Sequence, residues 1–503
     1  MTELTSRQQI KYGALLSYIG IGVYILVGLL YTPWMIKIIG KDDYGLYTLA
    51  YSIISLFVFD FGISAAVQRF VAKYLAEGDK KNVNNCVSLV LKLYIYIDIV
   101  VLIVLSAIFF LMPKIYTELT SIQLERLKVV YLMAGLFSVI SFPFIPLNGV
   151  LSAHEKFVQL KICDLVSKVL TVFVNIICLS VGGGLYELVF TNVVVGALII
   201  ILKIFIVSRE TGVKISFNYY DSQLMKQLLT FSGWTTIVAL CQRTIFNIAP
   251  SILGMFAGAS SIAVFGIAIT LEAYTFTLAS ALNGLFLPKI SRILNTSGDV
   301  LNLMIRVGRF QILTIGLILI GFIVVGSDFI NCWLGSGYED AYVFTLFFII
   351  PAFLLLPADI ADQTLIASNN VKYRAIVYVL MAIVNIVLSF FMTKSWGSIG
   401  LAFSIFIAYM VRNIVLYYVY YKQLNLNIFL FFRESFGKMI VGLLFSGFTS
   451  WGLCNLLQLC GWWSVIAKII IVLLCYIISM YFLSMNDSEK QLFKSIIKKV
   501  CKI

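Results

Sequence analysis

The chain has 503 residues, of which 61% are hydrophobic and only 12% charged, and its formal net charge is +13. A soluble globular chain carries about 25% charged residues, so a soluble enzyme or binding module is excluded and a polytopic membrane protein is indicated. On such a chain the basic excess belongs to loops held on the cytoplasmic side, and nucleic acid is not an expected partner.

Hydropathy and turn signals predict about fourteen membrane spans, all helical. The first apolar run, Tyr12 to Ile36, is too long for the core of a cleavable signal and reads as an uncleaved span. Spans at 44–68, 87–112, 128–150, 163–181 and 185–208 complete an N-terminal lobe over residues 1–208. Residues 209–227 form a cytoplasmic linker, and the alternation of Ile215, Phe217 and Tyr219 with polar residues predicts that it rests on the membrane surface. A second lobe, residues 228–421, holds spans at 228–254, 258–283, 307–327, 341–366, 373–393 and 398–421. Two further spans, 437–457 and 463–484, occupy residues 437–484.

Residues 486–503 read as an amphipathic tail. Leu492, Phe493, Ile496, Ile497 and Val500 share one face, and Lys490, Lys494, Lys498 and Lys499 the other. Such a helix either lies in the anionic inner leaflet or is a plain solubilising tail. With the N-terminus inside, only Lys37, Lys41, Lys114, Arg126, Lys128 and Lys394 fall in loops on the opposite side, which predicts both termini in the cytoplasm. The external loops are short and leave no external domain for chemistry.

The second half echoes the first. Tyr44-Gly45-Leu46 is answered by Phe265-Gly266-Ile267, Gly78-Asp79 by Gly298-Asp299, and Val174-Asn175-Ile176 by Val384-Asn385-Ile386. The order and near-constant offset predict a six-span repeat. An even repeat enters the membrane in one sense, so the pseudo-twofold axis runs along the membrane normal with a cavity between the lobes. The nine cysteines are scattered, mostly in apolar runs, and the single histidine, His154, lies in a polar loop, so neither a metal nor a cofactor is expected.

Charges inside spans mark candidate sites. A cation at mid-bilayer costs about 2.5–3.5 kcal/mol on insertion scales and persists where it faces a partner or a wet cavity. Arg243 stands near the centre of span 7, with Thr236 and Asn247 at helical spacing around it, and Glu272 in span 8 is a candidate counter-charge. In span 5, Asp164, Lys168, Thr171 and Asn175 share one helical face, where Asp164 and Lys168 either pair as a structural salt bridge or line the cavity. The cavity candidates are therefore Arg243, Lys168, Asn175, Asn247 and Glu272. Asp359 and Asp362 follow Pro357, which breaks or kinks span 10; they either bind a coupling proton or Na⁺, or cap the break and pair with basic residues. Asp60 in span 2 either caps or pairs structurally or lines the cavity, and is a third coupling candidate. Arg412, Lys92, Lys203 and Lys468 are expected to snorkel to the interface.

The stretch Gly40-Lys41-Asp42-Asp43-Tyr44-Gly45-Leu46-Tyr47, followed by Phe59-Asp60-Phe61-Gly62-Ile63-Ser64-Ala65-Ala66-Val67-Gln68-Arg69-Phe70, resembles the start of the bacterial polysaccharide (O-antigen, Wzx-type) flippases. These belong to the multidrug/oligosaccharidyl-lipid/polysaccharide exporter superfamily. The motif positions are Asp43, Tyr44, Gly45, Asp60, Gly62 and Arg69. Gly45 and Gly62 are small enough for close helix approach, and Tyr31, Trp34, Tyr44 and Tyr47 are placed where an aromatic belt belongs.

The resemblance implies an all-α, MATE-like fold of two six-helix lobes plus two C-terminal helices in the bacterial inner membrane. It implies translocation of undecaprenyl-diphosphate-linked oligosaccharide to the outer leaflet by alternating access, coupled to an ion, for O-antigen or capsule. It also implies membrane lipids, a polysaccharide polymerase and a chain-length regulator as partners. An apolar groove for the lipid tail is implied at Ile440 to Leu457 and Ser464 to Leu483.

Two other readings remain. A cation-coupled drug exporter of the same superfamily needs a carboxylate-dominated cavity, whereas Arg243 and Lys168 favour an anionic cargo. A polytopic polymerase or glycosyltransferase needs a sizeable polar loop with catalytic residues, and the longest external loop, about Pro113 to Leu127, carries no such cluster. The chain also lacks a phosphate-binding Gly-rich motif.

Overall fold

A computed structural model of the chain describes residues 6–491 and 494, apart from 217, 281–298, 369, 458 and 460. Every regular element among them is helical. A bilayer leaves no water to satisfy backbone N–H and C=O groups, so each apolar segment must close its own hydrogen bonds.

The chain divides into two compact units. The first comprises Met1–Gly266 and Tyr378–Ser404. It contains α1 (Ser6–Ile39), α2 (Lys41–Phe57), α3 (Ile63–Ala76), α4 (Lys80–Ile115) and α5 (Ser121–Ser141). There follow α6 (Leu147–Ala153), α7 (Phe157–Ser180), α8 (Leu185–Thr211), α9 (Ser222–Asn247), α10 (Ala249–Phe256) and the first part of α11 (Gly258–Ser280). Within it α1 packs on α7, α7 on α8, and α2 on α5, α9 and α10. Val67, Leu89, Tyr94 and Phe142 belong to a buried apolar core around α3 and α4.

The second unit comprises Ile267–Val377 and Ile405–Ile503. It holds the rest of α11, then α12 (Val300–Leu334), α13 (Asp340–Leu355) and α14 (Asp359–Ala367). The helix α15 (Val371–Leu424) contributes its ends to this unit and its middle to the first. The unit closes with α16 (Ile428–Phe432), α17 (Lys438–Asn455) and α18 (Gly461–Leu483). Here α12 is the hub, packing against α13, α14, α17 and α18.

Eleven helical stretches among the described residues are individually long and apolar enough to cross a membrane. The difference from the expected number has physical causes. Span 2 is not one helix but two, α2 and α3, separated at residues 58–62. Spans 11 and 12 run together as α15, with a turn confined to Gly397 at φ 60, ψ −142, a conformation only glycine adopts without strain. Span 13, seen as a helix over Lys438–Asn455, is not among the eleven, whereas span 10 counts once although it breaks into α13, a short 3₁₀ turn at Leu356–Ala358 and α14, as Pro357 predicts.

One of the pairs behind the expected internal repeat carries the same cap at both positions. Asp79 caps α4 by accepting from the Asn82 N–H at 2.9 Å, and Asp299 caps α12 by accepting from the Asn302 N–H at 3.0 Å. In each case the asparagine side chain returns a hydrogen bond to the same carboxylate. The repeat's Gly298 lies outside the described residues.

The linker is docked on α4 over part of its length. Its backbone N–H groups find side chains of α4, from Lys214 to Asn84 Oδ1 at 2.9 Å and from Ser216 to Ser88 Oγ at 2.8 Å. Lys92, expected to snorkel, donates to the Tyr219 carbonyl at 2.8 Å. These contacts are made by the backbone, and the Ile215 side chain is left exposed. Phe217 lies outside the described residues, as do Leu492, Phe493, Ile496, Ile497, Val500, Lys498 and Lys499 of the proposed tail helix.

Gly45 marks a close approach of α2 to the start of α11. A Cβ at this position would stand 2.1 Å from the Ala259 carbonyl oxygen at the start of α11. Backbone cannot yield as a side-chain tip can, so Gly45→Val is expected to destabilise the protein by about 1–3 kcal/mol or more. A fall in the thermal unfolding midpoint of the purified protein checks this; an unchanged midpoint contradicts the close approach.

Candidate functional site

The break in span 2 organises the polar interior of the first unit. Helix α2 ends at Phe57, and Gly62, at φ 72, starts α3 from the left-handed region. A Cβ on Gly62 would meet Thr235 Oγ1 at 2.4 Å, so bulk as well as conformation favours glycine here. Asp60 Oδ1 then accepts from the Ser64 N–H at 3.2 Å, one of the unpaired donors of a helix start, and from the Tyr94 hydroxyl at 3.0 Å. Thr236 donates to the Phe61 carbonyl.

Arg243 completes this arrangement. Its Nη1 donates to the Ser55 carbonyl at 2.8 Å. A continuous helix would have satisfied that oxygen, and the break frees it. The guanidinium carbon lies 4.9 Å from the centre of the Phe59 ring, within cation–π range. Asp60 is the carboxylate whose charge acts on it. A guanidinium has five N–H donors, and among the described residues Arg243 uses only the one to Ser55. The half-buried fork thus keeps most of its donors while its position is fixed.

The expected counter-charge, Glu272, belongs to the second unit. Glu272 is 7% exposed on α11, and Arg412 is the cation whose charge acts on it. Arg412 itself is buried rather than snorkelling, with its guanidinium carbon 4.2 Å from the centre of the Tyr409 ring. Asn247 is half-buried at the last position of α9.

Span 5 also differs from its expected pairing. Asp164 pairs with Lys203 at 3.4 Å and Lys161 at 3.7 Å, not with Lys168. Lys203, expected to snorkel, also donates to Asn148 Oδ1 at 3.0 Å. Lys168 extends over the Tyr24 ring, 4.6 Å from its centre. Its helical neighbours Thr171 and Asn175 line a cavity of about 430 Å³ formed with α1, α2, α5 and α8.

In that cavity Asn175 Nδ2 donates to Asn192 Oδ1 at 2.9 Å, and Thr191 donates to Asn175 Oδ1. Asn192 Nδ2 reaches the Tyr47 hydroxyl at 3.3 Å. Tyr31, Tyr44 and Tyr47, read from sequence as an interfacial belt, are turned into the cavity wall instead. The polar partners Asn192 and Thr191 had only one sequence signal, a pair of polar residues inside an otherwise apolar span.

The remaining motif and coupling candidates are structurally engaged. Asp43 holds Arg126 by 2.8 and 2.9 Å contacts to Nη1, tying the start of α2 to α5. Arg69 is exposed on α3. Asp362 pairs with Arg374 at 2.9 Å, and Asp359 at the start of α14 accepts from Gln363 at 3.5 Å. Asp98 on α4 went unnoticed in the sequence; its Oδ1 is buried and makes no hydrogen bond among the described residues. Lys468 pairs with Asp328 rather than snorkelling free.

In the second unit an apolar groove of about 500 Å³ runs between α12, α13 and α17. Ile320, Phe353, Leu443 and Trp451 wall it, and Gly447, where a Cβ would meet nothing within 4 Å, leaves open space beside them.

A family model described as polysaccharide biosynthesis protein matches residues 11–294. The chain is 22% identical over 507 residues to the uncharacterized membrane protein EpsK of Bacillus subtilis (strain 168), covering 96% of each. Among solved structures it is similar to the lipid II flippase MurJ in an inward closed conformation, with a TM-score of 0.74, 15% identity, and 96% of this chain and 100% of that one covered. An inward-facing multidrug resistance MATE family transporter of the MOP superfamily matches with a TM-score of 0.64 and 12% identity, over 82% of this chain and 98% of that one. At such identities the solved structures speak for the fold, and they bear out the expected all-helical, MATE-like architecture. The resemblance read at residues 40–70 is borne out by the family match.

Proposed function

Because the chain belongs to the polysaccharide biosynthesis protein family, we propose that it is a flippase. In this reading it moves undecaprenyl-diphosphate-linked oligosaccharide repeat units from the inner to the outer leaflet of the cytoplasmic membrane. The product serves a surface polysaccharide such as O-antigen or capsule. The observation that carries the reading is Arg243, a cation in an apolar helix, fixed by one hydrogen bond with its other donors unused among the described residues. A diphosphate is the complement of such a fork, because guanidinium and phosphate oxygens form paired, charge-assisted hydrogen bonds.

Lys168, Asn175, Asn247 and Glu272 complete the proposed cavity, with lobes 1–208 and 228–421 alternating access around it. The lipid tail is assigned to the apolar groove beside α17, whose lining offers almost no polar surface. Asp60, Asp359 and Asp362 are the proposed coupling carboxylates for H⁺ or Na⁺. Both termini are assigned to the cytoplasm, and no catalytic role is assigned. A polymerase and a chain-length regulator are proposed to take the product on.

Removal of the gene from its host tests the reading. Surface polysaccharide is expected to disappear while lipid-linked repeat units accumulate on the cytoplasmic side. Loss of polysaccharide without that accumulation places the protein at another step.

A further inference from the structure

Among the described residues, the wall of the cavity beside Asn175 carries no charged side chain, and Lys168, one turn away on α7, extends over Tyr24. Tyr31, Tyr47, Tyr51, Thr171, Asn175 and Asn192 supply hydroxyl and carboxamide groups and aromatic faces instead. Tyr47 and Tyr51 stand with ring centroids 4.5 Å apart at 41°, so their faces are fixed against each other. The Tyr31 hydroxyl faces the Asn175 carboxamide and is buried, with no hydrogen bond of full geometry among the described residues. Its volume of about 430 Å³ falls in the usual range of small-molecule sites, about 300–1,000 Å³.

Each of these features selects against some ligands. A diphosphate requires a cation in the wall, and a hard cation requires carboxylate oxygens; neither is present among the described lining residues. A hydrocarbon tail would leave the Tyr31 hydroxyl, which makes no hydrogen bond among the described residues, without a partner, at a cost of about 1–3 kcal/mol. A neutral polyhydroxylated ring satisfies the wall, because its hydroxyls both donate and accept and its C–H faces pack on aromatic rings.

The spacing along α2 ties this cavity to Arg243. Tyr47, Tyr51 and Ser55 follow one another at four-residue intervals and so share one helical face. At about 1.5 Å rise per residue, Tyr51 lies about 6 Å and Tyr47 about 12 Å along the axis from Ser55, whose carbonyl holds the guanidinium. Charge recognition and neutral recognition are therefore graded along a single helix.

We propose that the Asn175–Asn192–Tyr47–Tyr51 cavity is the subsite for the first sugars of the lipid-linked glycan and that it selects uncharged rings at that position. The proposal rests on the flippase reading and adds to it the chemical class of the glycan next to the diphosphate. A carboxylated sugar would enter a wall with no cation to meet it, and its desolvation would go uncompensated.

The test uses the full-length protein in vesicles and two probes, a prenyl-diphosphate-linked neutral disaccharide and the same lipid with a uronic acid as the first sugar. The wild type is expected to move the neutral probe at least about tenfold faster, the factor that the loss of one good hydrogen bond or a comparable polar mismatch produces. Asn192→Leu is expected to slow the neutral probe by a similar factor. Inhibition by glycan-free undecaprenyl diphosphate should remain as in the wild type, which shows that the variant is folded and still meets the anion. Equal rates for the two probes overturn the proposal, as does an Asn192→Leu protein that moves the neutral probe normally. If the wild type moves neither probe, the flippase reading itself fails, an outcome separate from loss of selectivity.

Discussion

Arg243→Ala is expected to abolish surface polysaccharide while the protein still reaches the membrane at wild-type abundance. Two losses combine. The diphosphate loses charge-assisted hydrogen bonds worth about 1.5–3 kcal/mol each, or about ten- to a hundredfold in affinity. The Ser55 carbonyl loses the donor that satisfies it at the helix break, a further cost of about 1–3 kcal/mol when the oxygen is buried.

Arg243→Lys separates these effects. An ammonium can reach the Ser55 carbonyl and keep a positive charge beside Phe59, but it offers a point charge in place of a planar fork. Partial activity is expected from Lys and none from Ala. Normal polysaccharide from the Ala variant at wild-type expression would remove Arg243 from the substrate path. Activity of neither variant, with normal unfolding midpoints for both, would indicate that the fork geometry itself is required.

Breaking the ion pair between Arg309 and Glu489 is expected to give the largest loss of stability. Arg309, 4% exposed near the start of α12, contacts Glu489 Oε1 at 2.6 Å through Nε and Oε2 at 2.8 Å through Nη2. The same guanidinium donates to the Ser484 carbonyl at 2.8 Å and the Glu434 carbonyl at 2.9 Å. Glu489 in turn exchanges hydrogen bonds with Asn486. One buried cation thus fastens three parts of the second unit: α12, the residues before α17 and the start of the tail.

Removing one member of a buried pair typically costs about 3–5 kcal/mol, because the other charge stays buried without compensation. Arg309→Met is expected to lose more than Glu489→Gln, since it also orphans two carbonyls. The double variant is expected to lose less than the sum of the single ones. Unfolding midpoints of the purified proteins measure this. Single variants that unfold within about 0.5 kcal/mol of the wild type, as ordinary surface changes do, would contradict the fastening role.

The two cases show what hydropathy carries and what it misses. Arg243 was legible because a cation inside an apolar run is expensive wherever the chain folds. Arg309 was not, because a basic residue at the start of a span looks like an ordinary interfacial charge until the tail is seen to bury it. The spans themselves were legible from length and apolarity, and the break at Pro357 from the missing N–H of proline. The break at residues 58–62 carried no proline, and its signal was chiefly Gly62, which sequence alone also allows as a packing residue.

Partners across helices were the least legible. Asp164 and Lys168 are spaced to pair on one helix, yet Lys203 on a neighbouring helix and Lys161 take the carboxylate. The tyrosines of α1 and α2 have the composition of an interfacial belt, and only helix rotation decides that Tyr31, Tyr44 and Tyr47 face a cavity. Periodicity fixes which residues share a face but not which neighbour that face meets.

The central claim is transport of a lipid-linked glycan, and purified protein in sealed vesicles tests it most directly. Undecaprenyl-diphosphate-linked oligosaccharide is followed between leaflets, with and without an imposed H⁺ or Na⁺ gradient, beside a panel of drug cations. Protein-dependent movement of the glycolipid, accelerated by one of the gradients and lost in Arg243→Ala, is the predicted result. Movement of drug cations with none of the glycolipid would contradict the account and make the protein an exporter of cations.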